Sequence, residues 1–197
     1  MRIAGAFEFK ALVDSIPYQN GDGFNLHVRG IDITRNDRFL QHIVPPPGCT
    51  FDPLFQNDKV MVVEDVNFDG AADLRLLSWH SIEHYRTYWY WLFNVRPGSF
   101  ERDTVLDGIM NPEFDHTNKV IHSWWRQGFN LFANEEFEYD PSGTLQLMWS
   151  ELVSPIPGED HALLVRTMRE HGELKEEEIQ LSLDEMDQFT GPRRRPR

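Results

Sequence analysis

Asp65-Val-Asn-Phe-Asp-Gly-Ala-Ala-Asp73 sits between two short apolar runs, Lys59-Val-Met-Val-Val-Glu64 and Leu74-Arg-Leu-Leu-Ser-Trp79. Both runs are of strand length and too short for helices, so the segment reads as strand, loop, strand. Oxygen-bearing side chains alternate at Asp65, Asn67 and Asp69. Gly70 follows where the chain must turn sharply, and Asp73 ends the loop.

That spacing, D-x-N-x-D-G-x-x-D, is a calcium-loop pattern. A hard divalent cation takes about six to eight oxygens at roughly 2.3–2.6 Å, and alternate side chains on a tight loop can converge on one point. The predicted ligands are the side chains of Asp65, Asn67, Asp69 and Asp73 with the main-chain carbonyl of Ala71, and the predicted ion is Ca2+. An EF-hand would carry Glu at its twelfth position and a helix on each side. Here Leu76 stands at that position and strands flank the loop. The alternative is an Asp/Gly hairpin turn that holds no metal. Four oxygen side chains at matched positions favour the metal.

Outward from the loop, aromatic and β-branched runs recur up to about residue 150, predicting strands at 7–13, 24–34, 39–44, 59–64, 74–78, 87–94, 119–125, 135–139 and 144–152. Asp140-Pro-Ser-Gly143 and Arg96-Pro-Gly-Ser99 are turn signals beside them. The run Tyr85-Arg-Thr-Tyr-Trp-Tyr-Trp-Leu-Phe93 predicts a central strand. The fold class expected is mainly β and antiparallel, a truncated, propeller-like stack of small sheets. A complete propeller needs about four to eight four-stranded blades, more than this chain can supply.

Pro-rich Ser154-Pro-Ile-Pro-Gly-Glu-Asp160 precedes a shift toward charge. It predicts a β domain over 1–153, an acidic C-terminal extension over 154–190 and a disordered Pro/Arg-rich tail over 191–197. Within the extension, Ile179, Leu181 and Leu183 alternate as in a strand and His171-Gly172 suits a hairpin turn, although Lys175-Glu-Glu-Glu178 would also suit a helix.

Of the 197 residues, 40% are hydrophobic and 13% aromatic, enough for the core of one domain with an appendage. The net charge of −13 disfavours nucleic acid and anionic membranes and is compatible with a basic protein partner. No apolar run approaches the roughly 18–20 residues of a membrane-spanning helix. Cys49 is the only cysteine, so no disulfide can form within the chain. The first residues lack the apolar segment of a secretion signal. The expectation is a cytoplasmic chain if the sequence is complete, and a periplasmic one if a leader was removed.

The segment Asp65-Val-Asn-Phe-Asp-Gly-Ala-Ala-Asp-Leu-Arg-Leu76 resembles the DxNFDGxxDLRL signature of FG-GAP-like bacterial proteins that carry a single such loop. The aromatic strand, Gly-Ser-Phe100 and Leu106…Asn-Pro-Glu-Phe-Asp115 continue the same order, so the likeness covers about residues 58–150. It implies a calcium site at Asp65, Asn67, Asp69 and Asp73, a propeller-like β fold and a periplasmic setting. It also implies an inhibitor or immunity protein acting on a lysozyme-like cell-wall hydrolase. The acidic C-terminal extension is not explained by the motif, and no inhibitory residues are implied.

Other constellations compete poorly. His80-Ser-Ile-Glu-His84 matches the H-x-x-E-H pattern of zinc hydrolases, but that chemistry needs a helix where a loop is expected. Trp89, Trp91, Trp124 and Trp125 could stack on sugars, yet tryptophans in strands are more often core. Glu135 and Glu136 are adjacent, so in a strand they face opposite ways and make a poor acid/base pair. No enzyme is predicted. The expected function is a calcium-binding protein-interaction domain, an inhibitor of a cell-wall hydrolase. The alternatives are an adhesion or glycan-binding scaffold with a structural calcium and, more distantly, a zinc hydrolase.

Overall fold

The computed structural model describes residues 7–18, 23–51, 60–80, 85–128, 131–189 and 191–195. It is mainly antiparallel β, in three open sheets, and divides into two compact units, Met1–Gly108 and Ile109–Arg197.

In the first unit, one sheet runs β1 (Phe7–Pro17), β2 (Phe24–Arg35) and β3 (Arg38–Ile43), with β4 (Thr50–Phe51) also paired to β2. Asn36 and Asp37 join β2 to β3 with φ of 52° and 62°, the doubly positive turn that matches strand twist. The second sheet runs in chain order: β5 (Met61–Glu64), β6 (Asp73–His80), β7 (Arg86–Asn94) and β8 (Ser99–Asp103). The aromatic run forms β7, an inner strand as its composition predicts.

Alternation places Ile31 and Ile33 of β2 on one face and Leu74 and Leu76 of β6 on another. They meet in a core with Trp91, Phe93 and Phe100. Burying one such side chain contributes about 1.5–3 kcal/mol. Gln41 ties the two sheets together: its Nε2 donates to the Phe100 carbonyl at 2.9 Å and its Oε1 accepts from the Phe100 N–H at 2.8 Å. Cys49 lies fully buried in this core, and burial pushes its thiol pKa up to about 11.

The second unit is a six-stranded meander. Its strands are β9 (Glu113–Asp115), β10 (Val120–Gln127), β11 (Leu131–Tyr139), β12 (Leu145–Pro155), β13 (His161–Glu170) and β14 (Glu173–Ser182). His171 (φ 53°) and Gly172 (φ 90°) form the turn between the last two, so the hairpin prevails over the helix. A short helix, α1 (Leu183–Met186), starts at a capping box in which Ser182 and Glu185 satisfy each other's main-chain N–H groups.

Two expectations about chain organisation are corrected. A boundary at 153/154 falls inside β12, whose hydrogen bonds to β13 continue the sheet through Pro155. The acidic 154–190 segment is therefore part of the second unit's sheet. Its charge sits on β14, an edge strand whose residues 173–178 are exposed, and charged edges resist strand-to-strand aggregation. The described residues of the 191–197 tail, 191–195, are held in place, because buried acceptors on the sheet take the N–H groups of Arg193 and Arg195.

Candidate functional site

The β5–β6 loop begins and ends on a paired couple, Glu64 opposite Asp73. Within it Val66 and Phe68 are buried, so alternation turns Asp65, Asn67 and Asp69 outward together. Phe68 has φ of 60°, unusual for a bulky residue, and its burial offsets the local strain. Gly70 at φ 89° supplies the turn without a side-chain penalty.

The outward side chains converge. The Asp69 N–H is shared by Asp65 Oδ1 and Asn67 Oδ1, each at 3.1 Å. Gly70 donates to Asp65 Oδ2 at 2.9 Å, Ala71 donates to Asp69 Oδ1 at 2.7 Å, and Asn67 Nδ2 donates to Asp69 Oδ2 at 3.1 Å. Three oxygen-bearing groups are thus gathered on one turn by its own N–H groups, before any ligand is considered. A cleft of about 450 Å3 opens beside them, lined by Asn67, Asp69, Asn94, Arg96, Glu101 and Asp103 among others.

Asp73 is placed differently. It is fully buried, and its two oxygens accept from Val66 N–H at 3.0 Å and Phe93 N–H at 2.8 Å. It fastens the loop entrance to β7. Burial pushes its pKa up to about 7, and the like charges of Asp69 and Asp65 add to the rise against the lowering pull of the two N–H groups.

The donor set suits a hard cation: two exposed or half-exposed carboxylates, an amide oxygen and the Ala71 carbonyl. Among the described residues no group of three or more His, Cys, Asp or Glu side chains is gathered for a metal. In this loop Asn67 stands between the two outward carboxylates, while the third carboxylate, Asp73, is turned into the core.

The remaining candidates fare as follows. Of His80-Ser-Ile-Glu-His84, residues 81–84 lie outside the described residues, and His80 ends β6. Trp91 is buried in the core with the Arg102 guanidinium over its ring, so it cannot stack on a sugar. Trp89 packs against the same core, and Trp124 and Trp125 are half-buried. Glu135 and Glu136 do face opposite ways. Glu135 accepts from Ser123 Oγ at 2.9 Å and Trp125 Nε1 at 3.3 Å, whereas Glu136 is buried beside His122.

Sequence reasoning missed a second polar constellation: Asn134, Glu136 and Glu151, all buried on one face of the second unit's sheet. Its only sequence signal was the alternation of Asn134, Glu136 and Glu138. Fold and loop together define a mainly antiparallel β protein with an aspartate-rich strand–loop–strand turn. No protein-family model matches the chain, and no curated protein matches it in sequence. Among solved structures, one described as "Structure of a Xanthomonas Type IV Secretion System related protein" has a similar fold. Its TM-score is 0.60 at 15% identity, over 88% of this chain and 88% of that one.

Proposed function

We propose that this chain is a calcium-binding protein-interaction domain and, more finely, an inhibitor of a lysozyme-like cell-wall hydrolase, as an immunity protein of the FG-GAP-like type would be. The observation that carries the proposal is the convergence of Asp65 and Asn67 on the single Asp69 N–H, with the Asp69 carboxylate tied to Asn67 and to the Ala71 N–H. The Asp65 and Asp69 carboxylates and the Asn67 amide oxygen, with the Ala71 carbonyl, would hold the ion. When bound, the cation neutralises the clustered negative charge and stiffens the loop. Asp73 does its part from within, clamping Val66 to Phe93 so that the loop leaves the sheet at a fixed angle.

The interaction reading draws support from the net charge of −13, which would steer a basic hydrolase into contact. The fold shared with a secretion-system-related protein also supports it. It assigns no catalytic residue.

Calorimetric titration of calcium into chelator-treated chain, beside Asp69→Ala, tests the ion. Binding by the wild type and none by the variant is the expected result, and heat-silent wild type defeats it. Inhibition assays against a panel of lysozyme-like hydrolases test the partner. Inhibition that weakens as salt rises is expected, and failure to bind or inhibit any member sinks the inhibitor reading.

A further inference from the structure

The most basic stretch of this acidic chain is Gly191-Pro-Arg-Arg-Arg-Pro-Arg197, and its residues 193–195 lie along a face of the second unit that buries Glu136 and Glu151. Strand register builds that face in rows across the sheet. Phe132, Val153, Leu164 and Ile179 form an apolar row, which Met186 and Phe189 cover. The next row is Asn134, Glu151, Arg166 and Glu177, and the one after it sets His122 beside Glu136 and Trp149. The chain that covers the apolar row continues over the polar ones as residues 191–195.

Main chain and side chains are both read there. Arg193 N–H donates to Asn134 Oδ1 and Arg195 N–H donates to Glu136 Oε1, each at 2.7 Å. Asn134 and Glu136 are two residues apart on β11, matching the two-residue period of an extended segment. Arg193 pairs with Glu151 at 3.3 Å, Arg195 with Glu138 at 2.7 Å, and Arg194 with Glu113 at 2.8 Å. Alternate N–H groups captured by fixed acceptors, with guanidinium groups meeting carboxylates, is how an extended arginine-rich peptide is recognised.

The track also tolerates exchange of its occupant. Glu151 keeps Arg166, at 2.9 Å, if Arg193 leaves, and Glu136 keeps His122 at 3.3 Å if Arg195 leaves. Departure therefore leaves each buried carboxylate a cationic or protonatable neighbour, while Glu138 and Glu113, which lose Arg195 and Arg194, are 33% and 66% exposed and open to water.

We propose that this acidic track is a docking site for an extended, arginine-rich segment of a partner protein, and that residues 191–195 are its intramolecular occupant, displaced on binding. The proposal deepens the protein-interaction reading by naming a surface and the chemistry of its ligand. It does not depend on calcium or on the partner being a hydrolase.

The test is fluorescence anisotropy with a labelled peptide, Gly-Pro-Arg-Arg-Arg-Pro-Arg. It is titrated into the full chain, into R193A/R194A/R195A, and into that variant with Glu136→Gln and Glu138→Gln added. The triple variant is expected to bind at least tenfold more tightly than the unaltered chain, whose own tail competes at an effective concentration in the millimolar range. The two Glu→Gln changes are expected to abolish that gain. A folded triple variant that ignores the peptide, or binding unchanged by the Glu→Gln pair, overturns the proposal. If the triple variant does not fold, excess unlabelled peptide on the unaltered chain decides. Shifted amide resonances for Arg193 and Arg195 support displacement, and unmoved ones refute it. A dimer of the unaltered chain that the triple variant dissolves would overturn the intramolecular assignment in favour of tails exchanged between copies. These readouts use no hydrolase, so their failure is separate from failure of the inhibition assays.

Discussion

Removing the Asp73 carboxylate should destabilise the first unit in a manner that depends on pH. Asp73 is fully buried and accepts two main-chain N–H groups, from Val66 and Phe93. Asp73→Ala strands both donors. At about 1–3 kcal/mol for each buried unsatisfied group, the loss is about 2–6 kcal/mol. Asp73→Asn keeps one acceptor and should lose less, about 1–3 kcal/mol at pH 5. The pH dependence follows from the pKa, raised by burial from 3.8 to about 7. Between those values the folded chain binds more protons than the unfolded one, so stability is fully present at low pH and falls as pH rises toward 7. Across pH 5 to 8 this amounts to about 3 kcal/mol at one group, lost in wild type and not in Asp73→Asn. Urea unfolding of the three proteins in chelator, at pH 5 and pH 8, measures all of this. An alanine variant as stable as wild type at pH 5 would refute the clamp, and equal pH slopes in wild type and Asp73→Asn would refute the titration argument.

Two further outcomes are expected. Glu151, 1% exposed, is held by Arg166 Nε at 3.1 Å and Nη2 at 2.9 Å. Arg166→Ala should therefore cost about 3–5 kcal/mol in denaturant unfolding, with partial recovery in Arg166→Lys; an unchanged midpoint would show that Arg193 and water suffice. Gly70 has φ of 89° with open space around its α-carbon, so Gly70→Ala should cost about 1–2 kcal/mol from backbone strain alone. Stability equal to wild type would mean the loop relaxes to another turn.

The Asp65–Asp73 stretch was informative because its chemistry is local. Val66 and Phe68 go in, while Asp65, Asn67 and Asp69 go out, and that follows from alternation and the turn at Gly70. The inner role of Asp73 was not legible, since one of its donors, Phe93, stands on a strand twenty positions away. β8 and β9 escaped notice for a related reason. Short and charged, they lack an apolar alternation of their own and are strands because β7 and β10 supply their hydrogen bonds.

By itself, the sequence determined what near neighbours decide: most strand and turn positions and the oxygen-rich loop, whereas the choice of hairpin over helix after His171-Gly172 came from pairing with β13. Tertiary structure decided where charge is buried. The arginines at 193 and 195 read as a solvated tail until register lines up Asn134, Glu136 and Glu151, fifty-nine positions away in the case of the two main-chain bonds. Composition likewise placed a boundary at 153/154, whereas cross-strand hydrogen bonding carries β12 into β13 and makes the acidic segment part of one sheet. Alternation and turn preferences act over a few residues and survive in any context. Ion pairing and main-chain capture need partners brought together by the fold, and no local pattern reports them.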